Sequence, residues 1–127
     1  MKKIVSVLVF LLIIFSLTAC KGMYISVERY GEISNFVLKN KETLSSTKDI
    51  EFFDYETTGL SIGGAYYGYY YTVNNEITVP DFYSDGNLGE KYEADGGTYF
   101  GKPNNGTDWC FVKKITDNWY YYELHWG

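Results

Sequence analysis

The sequence predicts a mainly β protein: a small antiparallel sandwich or partly open barrel built from hairpins, with one short helix near residues 34–44. Three observations carry this. Of the 127 residues 20% are aromatic, and past residue 19 the chain holds 23 Phe, Tyr and Trp against 16 Ile, Leu and Val. That composition suits pleated, half-buried surfaces. Eleven of the thirteen glycines lie from Gly59 onward, and Asn or Asp residues repeatedly separate runs of apolar residues, as hairpin turns require.

The first segment is an address rather than part of the fold. Lys2 and Lys3 precede an apolar run from Ile4 to Leu17. Fourteen residues are too few to cross a bilayer core of about 30 Å as a helix, but they suit the h-region of a signal peptide. The run ends in Leu17-Thr18-Ala19-Cys20, which resembles the lipobox of bacterial lipoproteins. The resemblance implies a diacylglycerol thioether of palmitate type on Cys20, cleavage after Ala19, and acylation of the new amino group. An ordinary secretory signal with a cysteine at its cleavage site, or an uncleaved anchor helix, is the alternative. On the lipoprotein reading residues 1–19 are removed, and residues 20–127 form a single lipid-anchored domain. Lys21 stands where an aspartate would be the usual inner-membrane retention signal. The resemblance therefore implies the outer membrane in a Gram-negative envelope, and otherwise the outer face of the cytoplasmic membrane.

The remaining 108 residues carry nine basic and sixteen acidic side chains, a net charge of −7. That balance argues against nucleic acid or an anionic bilayer as partner and favours a basic protein. With Cys20 lipidated, Cys110 is alone in an oxidising compartment. No disulfide framework is then possible, and the core must hold the fold. A Cys20–Cys110 bridge is the substitute if the lipid is absent.

Element by element, strands are expected at Tyr24–Arg29 and Asp49–Tyr55. Between them Ile33, Phe36, Val37, Asn40 and Leu44 fall near helical spacing, with Ser34 as N-cap. One hairpin is expected from Ala65–Val73 and Glu76–Val79 around Asn74-Asn75, stopped by Pro80. Another joins Lys91–Ala94 to Thr98–Phe100 around Asp95-Gly96-Gly97. The last joins Asp108–Ile115 to Trp119–Trp126 through Asp117-Asn118. A two-residue loop there would place Ile115 opposite Tyr120, Phe111 opposite Leu124, Trp109 opposite Trp126 and Cys110 opposite His125. With a strand starting near Tyr24, Cys20–Met23 would allow little more than about 10 Å between lipid and fold.

The richest candidate surface is Tyr66-Tyr67-Gly68-Tyr69-Tyr70-Tyr71. On a strand Tyr67, Tyr69 and Tyr71 point one way and Tyr66 and Tyr70 the other. Either one aromatic face is a platform for sugar rings or a partner loop, or both faces are covered by a sandwich. Asp85-Gly86-Asn87-Leu88-Gly89-Glu90 has oxygen donors but departs from an EF-hand loop, and reads as a turn. A Cys110–His125 pair would be a nucleophile with its base. Too few His and Cys remain for a zinc site, and no serine sits in a G-x-S-x-G setting. No glycosidase pair stands out among Glu51, Asp54, Glu56, Glu90, Glu93 and Asp95.

The expected function is accordingly a binding module rather than an enzyme, without metal or cofactor. It would inhibit or confer immunity against a basic toxin or cell-wall hydrolase. The alternative is a structural or glycan-contacting envelope protein using Tyr67, Tyr69 and Tyr71. Ser61-Ile62-Gly63-Gly64-Ala65-Tyr66 resembles the Ser-Gly-x-x-Tyr loop of membrane-bound lysozyme inhibitors, with Ile62 interrupting the Ser-Gly pair.

Overall fold

A computed structural model describes residues 25–44, 46–60, 63–83, 88–103 and 108–126. The signal segment with Cys20, Ser61 and Ile62, and Asp85, Gly86 and Asn87 lie outside the described residues.

One helix and six strands follow one another: α1 (Val27–Asn40), β1 (Ile50–Leu60), β2 (Gly63–Thr72), β3 (Lys91–Ala94), β4 (Gly97–Phe100), β5 (Trp109–Thr116) and β6 (Trp119–Trp126). The strands form a single antiparallel sheet in the order β1-β2-β6-β5-β4-β3, not closed into a barrel. The mainly β class with one helix is as the composition predicts.

The helix begins earlier than expected. Ser26, not Ser34, is the N-cap, its hydroxyl accepting from the Arg29 backbone N–H at 3.3 Å. Residues from Val27, expected as the end of a strand, are helical. Ile33 and Val37 are fully buried against the sheet, with Tyr30, Phe36 and Leu44 packed beside them. These positions lie three or four apart, so α1 is amphipathic from its first turn. Glu28 in the first turn and Lys39 in the last match the helix dipole. Among the described residues no helix is long and apolar enough to cross a membrane.

Both faces of the sheet are covered. On the helix side lie Tyr69, Tyr99, Phe111, Trp119 and Tyr121. On the other lie Tyr70, Cys110, Val112, Tyr120, Tyr122 and Leu124, with Val79, Tyr83 and Leu88 packed on them. The expected strand Glu76–Val79 is therefore not a hairpin partner of β2. The chain turns at Asn75 (φ +53°) and crosses over the second face. Tyr70 holds it there, its hydroxyl donating to the Glu76 carbonyl at 2.8 Å and accepting from the Thr78 N–H at 3.3 Å.

Register follows the rings. Directly opposed residues stack: Phe53 on Tyr69 at 5.1 Å, Tyr70 on Tyr120 at 5.3 Å and Tyr92 on Tyr99 at 5.0 Å. Asp95 and Gly96, both at positive φ, make the two-residue turn between β3 and β4. The β5–β6 turn is also the expected Asp117-Asn118, with Asn118 at φ +71°. The expected pairings fail nonetheless, because a bulge at Ile115 absorbs one residue. Phe111 faces Glu123, Cys110 faces Leu124 and Trp109 faces His125. The expected register rested on segregating apolar residues to one face. That criterion loses its force once both faces are dry.

Gly68 is the gap in the tyrosine run. It faces Tyr122, whose ring fills the missing side chain's space: an added Cβ would lie 2.7 Å from that ring and 2.2 Å from the Phe53 carbonyl oxygen. Gly31, in the helix, has nothing within 4 Å of its added Cβ. We expect Gly68→Ala to destabilise by about 1–3 kcal/mol through overpacking. Gly31→Ala should instead stabilise by about 0.5–1 kcal/mol. Denaturant melts of the two variants compare the signs directly.

Candidate functional site

Strand β6 lies between β2 and β5 and sends Tyr121, Glu123 and His125 to the helix side. Glu123 is completely buried. Its carboxylate accepts from the Ser26 backbone N–H at 3.0 Å and from the Tyr121 hydroxyl, and its Oε1 lies 3.0 Å from His125 Nε2. The Ser26 N–H belongs to the start of α1, so the positive end of the helix dipole meets the buried carboxylate. His125 is clamped between rings: Trp109 stacks on it at 3.9 Å and 7°, and Tyr67 meets it edge-on at 5.8 Å. Beyond Tyr67, Arg29 lies over the ring at 5.6 Å and pairs with Glu56, Nη2 to Oε1 at 3.1 Å.

This cluster orients a histidine without bringing Cys110 to it. Cys110 faces Leu124 and is buried on the opposite side of the sheet, so the expected Cys110–His125 neighbourhood is not formed. Burial pushes the Cys110 thiol well above its usual range, with the nearby Glu123 charge adding to the effect. A neutral, buried thiol packs as a small apolar group.

The tyrosine row Tyr67, Tyr69 and Tyr71 does share one face, the helix side. Tyr69 is buried between Phe53, Phe36 and Trp119. Tyr67 and Tyr71 are half-buried, Tyr71 edge-on to Trp119 at 5.2 Å. Gly63–Tyr66 are strand residues rather than a loop, all paired with β1 and, from Gly64 on, with β6 as well. The carboxylates Glu51, Asp54 and Glu56 lie along β1, whose pairing among the described residues is with β2 alone. Among the described residues no group of three or more His, Cys, Asp and Glu could hold a metal ion.

Two concavities open on the second face. One, of about 490 Å³, lies beside the β3–β4 turn and is lined by Glu93, Gly97, Val112, Lys114 and Tyr120 among others. The other, of about 260 Å³, is lined by Tyr66, Phe82, Tyr83, Asp108, Leu124 and Trp126.

No family model, curated protein or solved structure matches the chain. Sequence reasoning overlooked Glu123 as a structural centre. The signal was present, since Glu123 is the sole carboxylate in the strand Trp119–Trp126. A lone acid in a strand with apolar residues on both faces must be buried somewhere.

Removing that carboxylate strands the Ser26 N–H and the Tyr121 hydroxyl. We expect Glu123→Ala to cost roughly 2–4 kcal/mol, lowering Tm by roughly 10–20 °C. Glu123→Gln, which keeps an acceptor, should cost about half as much. Equal loss in both variants would show that the hydrogen bonds contribute nothing beyond charge.

Alkaline pH attacks the same core. Burial raises the phenols of Tyr70, Tyr121 and Tyr122 far above their ordinary value of 10, the Glu123 carboxylate adding to the rise at Tyr121. Above pH 10 the unfolded chain loses these protons while the native state keeps them. The unfolded state then binds fewer protons, so stability is intact below pH 10 and falls as pH rises. Three such groups remove about 4 kcal/mol by about pH 11. Tyrosinate absorbance and circular dichroism should therefore change together in one steep transition. Titration of all the tyrosines near pH 10 with the circular dichroism intact would contradict this.

Proposed function

We propose that the chain is a small envelope lipoprotein, anchored through Cys20, whose folded domain binds a basic protein. The role would be inhibition of, or immunity to, a basic toxin or cell-wall hydrolase. The observation that carries the reading is the charge of the surface. Among the described residues ten exposed carboxylates face solvent against five exposed lysines. The exposed Asp49 and Asp54 flank the half-buried Glu51 at the start of β1, which among the described residues is an edge of the sheet. An edge strand presents unpaired backbone groups to a partner, and acidic flanks select a basic one. Against the Cys110–His125 hydrolase alternative stands the separation of the two side chains across the sheet.

The anchor adds a distance limit. Ile25 is already buried in the helix-side core, so five residue steps separate Cys20 from the fold. At about 3.3–3.6 Å per residue the tether reaches at most about 18 Å. A partner would be met close to the membrane surface.

Lipidation and binding can be tested on one preparation. Mass spectrometry of the purified protein should show a chain starting at Cys20 with acyl additions, lost in Cys20→Ala. The lipidated protein in detergent should bind lysozyme, or a toxin encoded beside it, with affinity that falls about tenfold or more as salt rises through a few tenths molar. Salt-insensitive binding to peptidoglycan, with none to basic proteins, would instead establish the glycan-contacting role for Tyr67 and Tyr71.

A further inference from the structure

The smaller concavity on the second face has a chemistry of its own. Tyr66 forms one wall, with the Trp126 ring tilted against it at 4.7 Å and Phe82 meeting it edge-on at 5.0 Å. Phe82 is 50% exposed, an unusual place for a phenylalanine next to other rings. Tyr83 and Asp108 close the cleft, the tyrosine hydroxyl donating to Asp108 Oδ2 at 2.7 Å. Three aromatic rings with electron-rich faces thus line a small space, and a carboxylate at the rim adds formal negative charge. Asp81, next to Phe82, is exposed and close enough to Tyr122 for its charge to act on that buried phenol, after the larger effect of burial.

We infer that this cleft is a socket for a cationic side chain, a lysine or arginine, supplied by a basic protein partner. The volume of about 260 Å³ is below the roughly 300–1,000 Å³ of sites for drug-sized ligands. It fits one side chain rather than a substrate. Cation–π attraction favours ammonium or guanidinium groups over neutral groups of the same shape, and the acidic surface brings such groups near. The protein already uses this contact elsewhere. Lys113 Nζ lies 4.4 Å from the centre of the Tyr30 ring, and Lys91 Nζ lies 5.9 Å from that of Phe100. The inference rests on the reading of the chain as a binder of basic proteins, and gives that binder one anchor point.

The test uses the full chain and blocked amino acids as probes: N-acetyl-lysine methylamide, the arginine equivalent, and the neutral norleucine equivalent. In nuclear magnetic resonance titrations the lysine and arginine probes should shift the Trp126 indole and Tyr66 ring signals, and norleucine should not. Phe82→Ala should weaken the cationic probes about tenfold, with a denaturant melt checking that the core around the neighbouring Tyr122 stays folded. Asp108→Asn, which keeps an acceptor for Tyr83, should weaken them less, narrowing the preference over norleucine without removing it. Equal shifts from norleucine would overturn the proposal, and so would a cell-wall saccharide that binds the cleft when the cations do not. If a basic protein binds in a salt-sensitive way yet ignores both substitutions, the socket falls and the wider reading stands. If the probes bind but no basic protein does, the socket stands and the inhibitor role falls.

Discussion

Strand β6 has no wet face, and most of the architecture follows from that constraint. Residues Trp119 to Leu124 are all buried, so the central strand needs a cover on each side. Antiparallel sheets commonly leave one face to water; here α1 closes one face and the chain after β2 closes the other. Tyrosine rather than leucine makes this workable. Each ring brings apolar area into the core and a hydroxyl to its rim. The Tyr70 and Tyr120 hydroxyls donate to the carbonyls of Glu76 and Asn75, fixing the covering segment. The Tyr122 hydroxyl donates to the Phe53 carbonyl on β1, and Tyr30 donates from the helix to Lys114 on β5. The aromatic excess thus works as a set of pins between layers.

Local chemistry made much of this legible. Asp95-Gly96 and Asn118 mark their turns because few other residues accept positive φ. The alternation of Tyr66–Tyr71 between faces is likewise a local property of a strand. What escaped sequence reasoning is non-local. Ile25-Ser26-Val27 alternates like a strand, yet Ser26 caps a helix because its N–H finds Glu123, 97 positions away. Glu76–Val79 reads as a strand partner for β2, but β6 takes that side of β2 and Tyr70 claims the backbone of Glu76 and Thr78. The Ile115 bulge depends on how β5 must sit between two covered faces, and no short-range pattern encodes it.

The buried carboxylate links the covers electrostatically. Glu123 sits where helix N-terminus, tyrosine hydroxyl and histidine converge, and Arg29, over the Tyr67 ring, pairs with Glu56. Such an arrangement places a polar, directional contact inside an aromatic core whose packing alone is permissive. Hydrophobic contacts would tolerate α1 sliding along the sheet, whereas the Ser26–Glu123 bond selects one position.

That position has a functional consequence. Ser26 meets β6 near the end of the strand that holds Glu123, and the cleft residues Tyr66, Leu124 and Trp126 belong to the same end of the sheet. The chain arrives there from Cys20. If Cys20 carries the lipid, the tether and the aromatic cleft share one end of the domain. The acidic start of β1, at Asp49 and Glu51, lies toward the other end, because Ile50 pairs with Thr72 while Gly59 pairs with Gly64. On the proposed reading, a partner gripped at both places would lie along the domain from its tethered end outward.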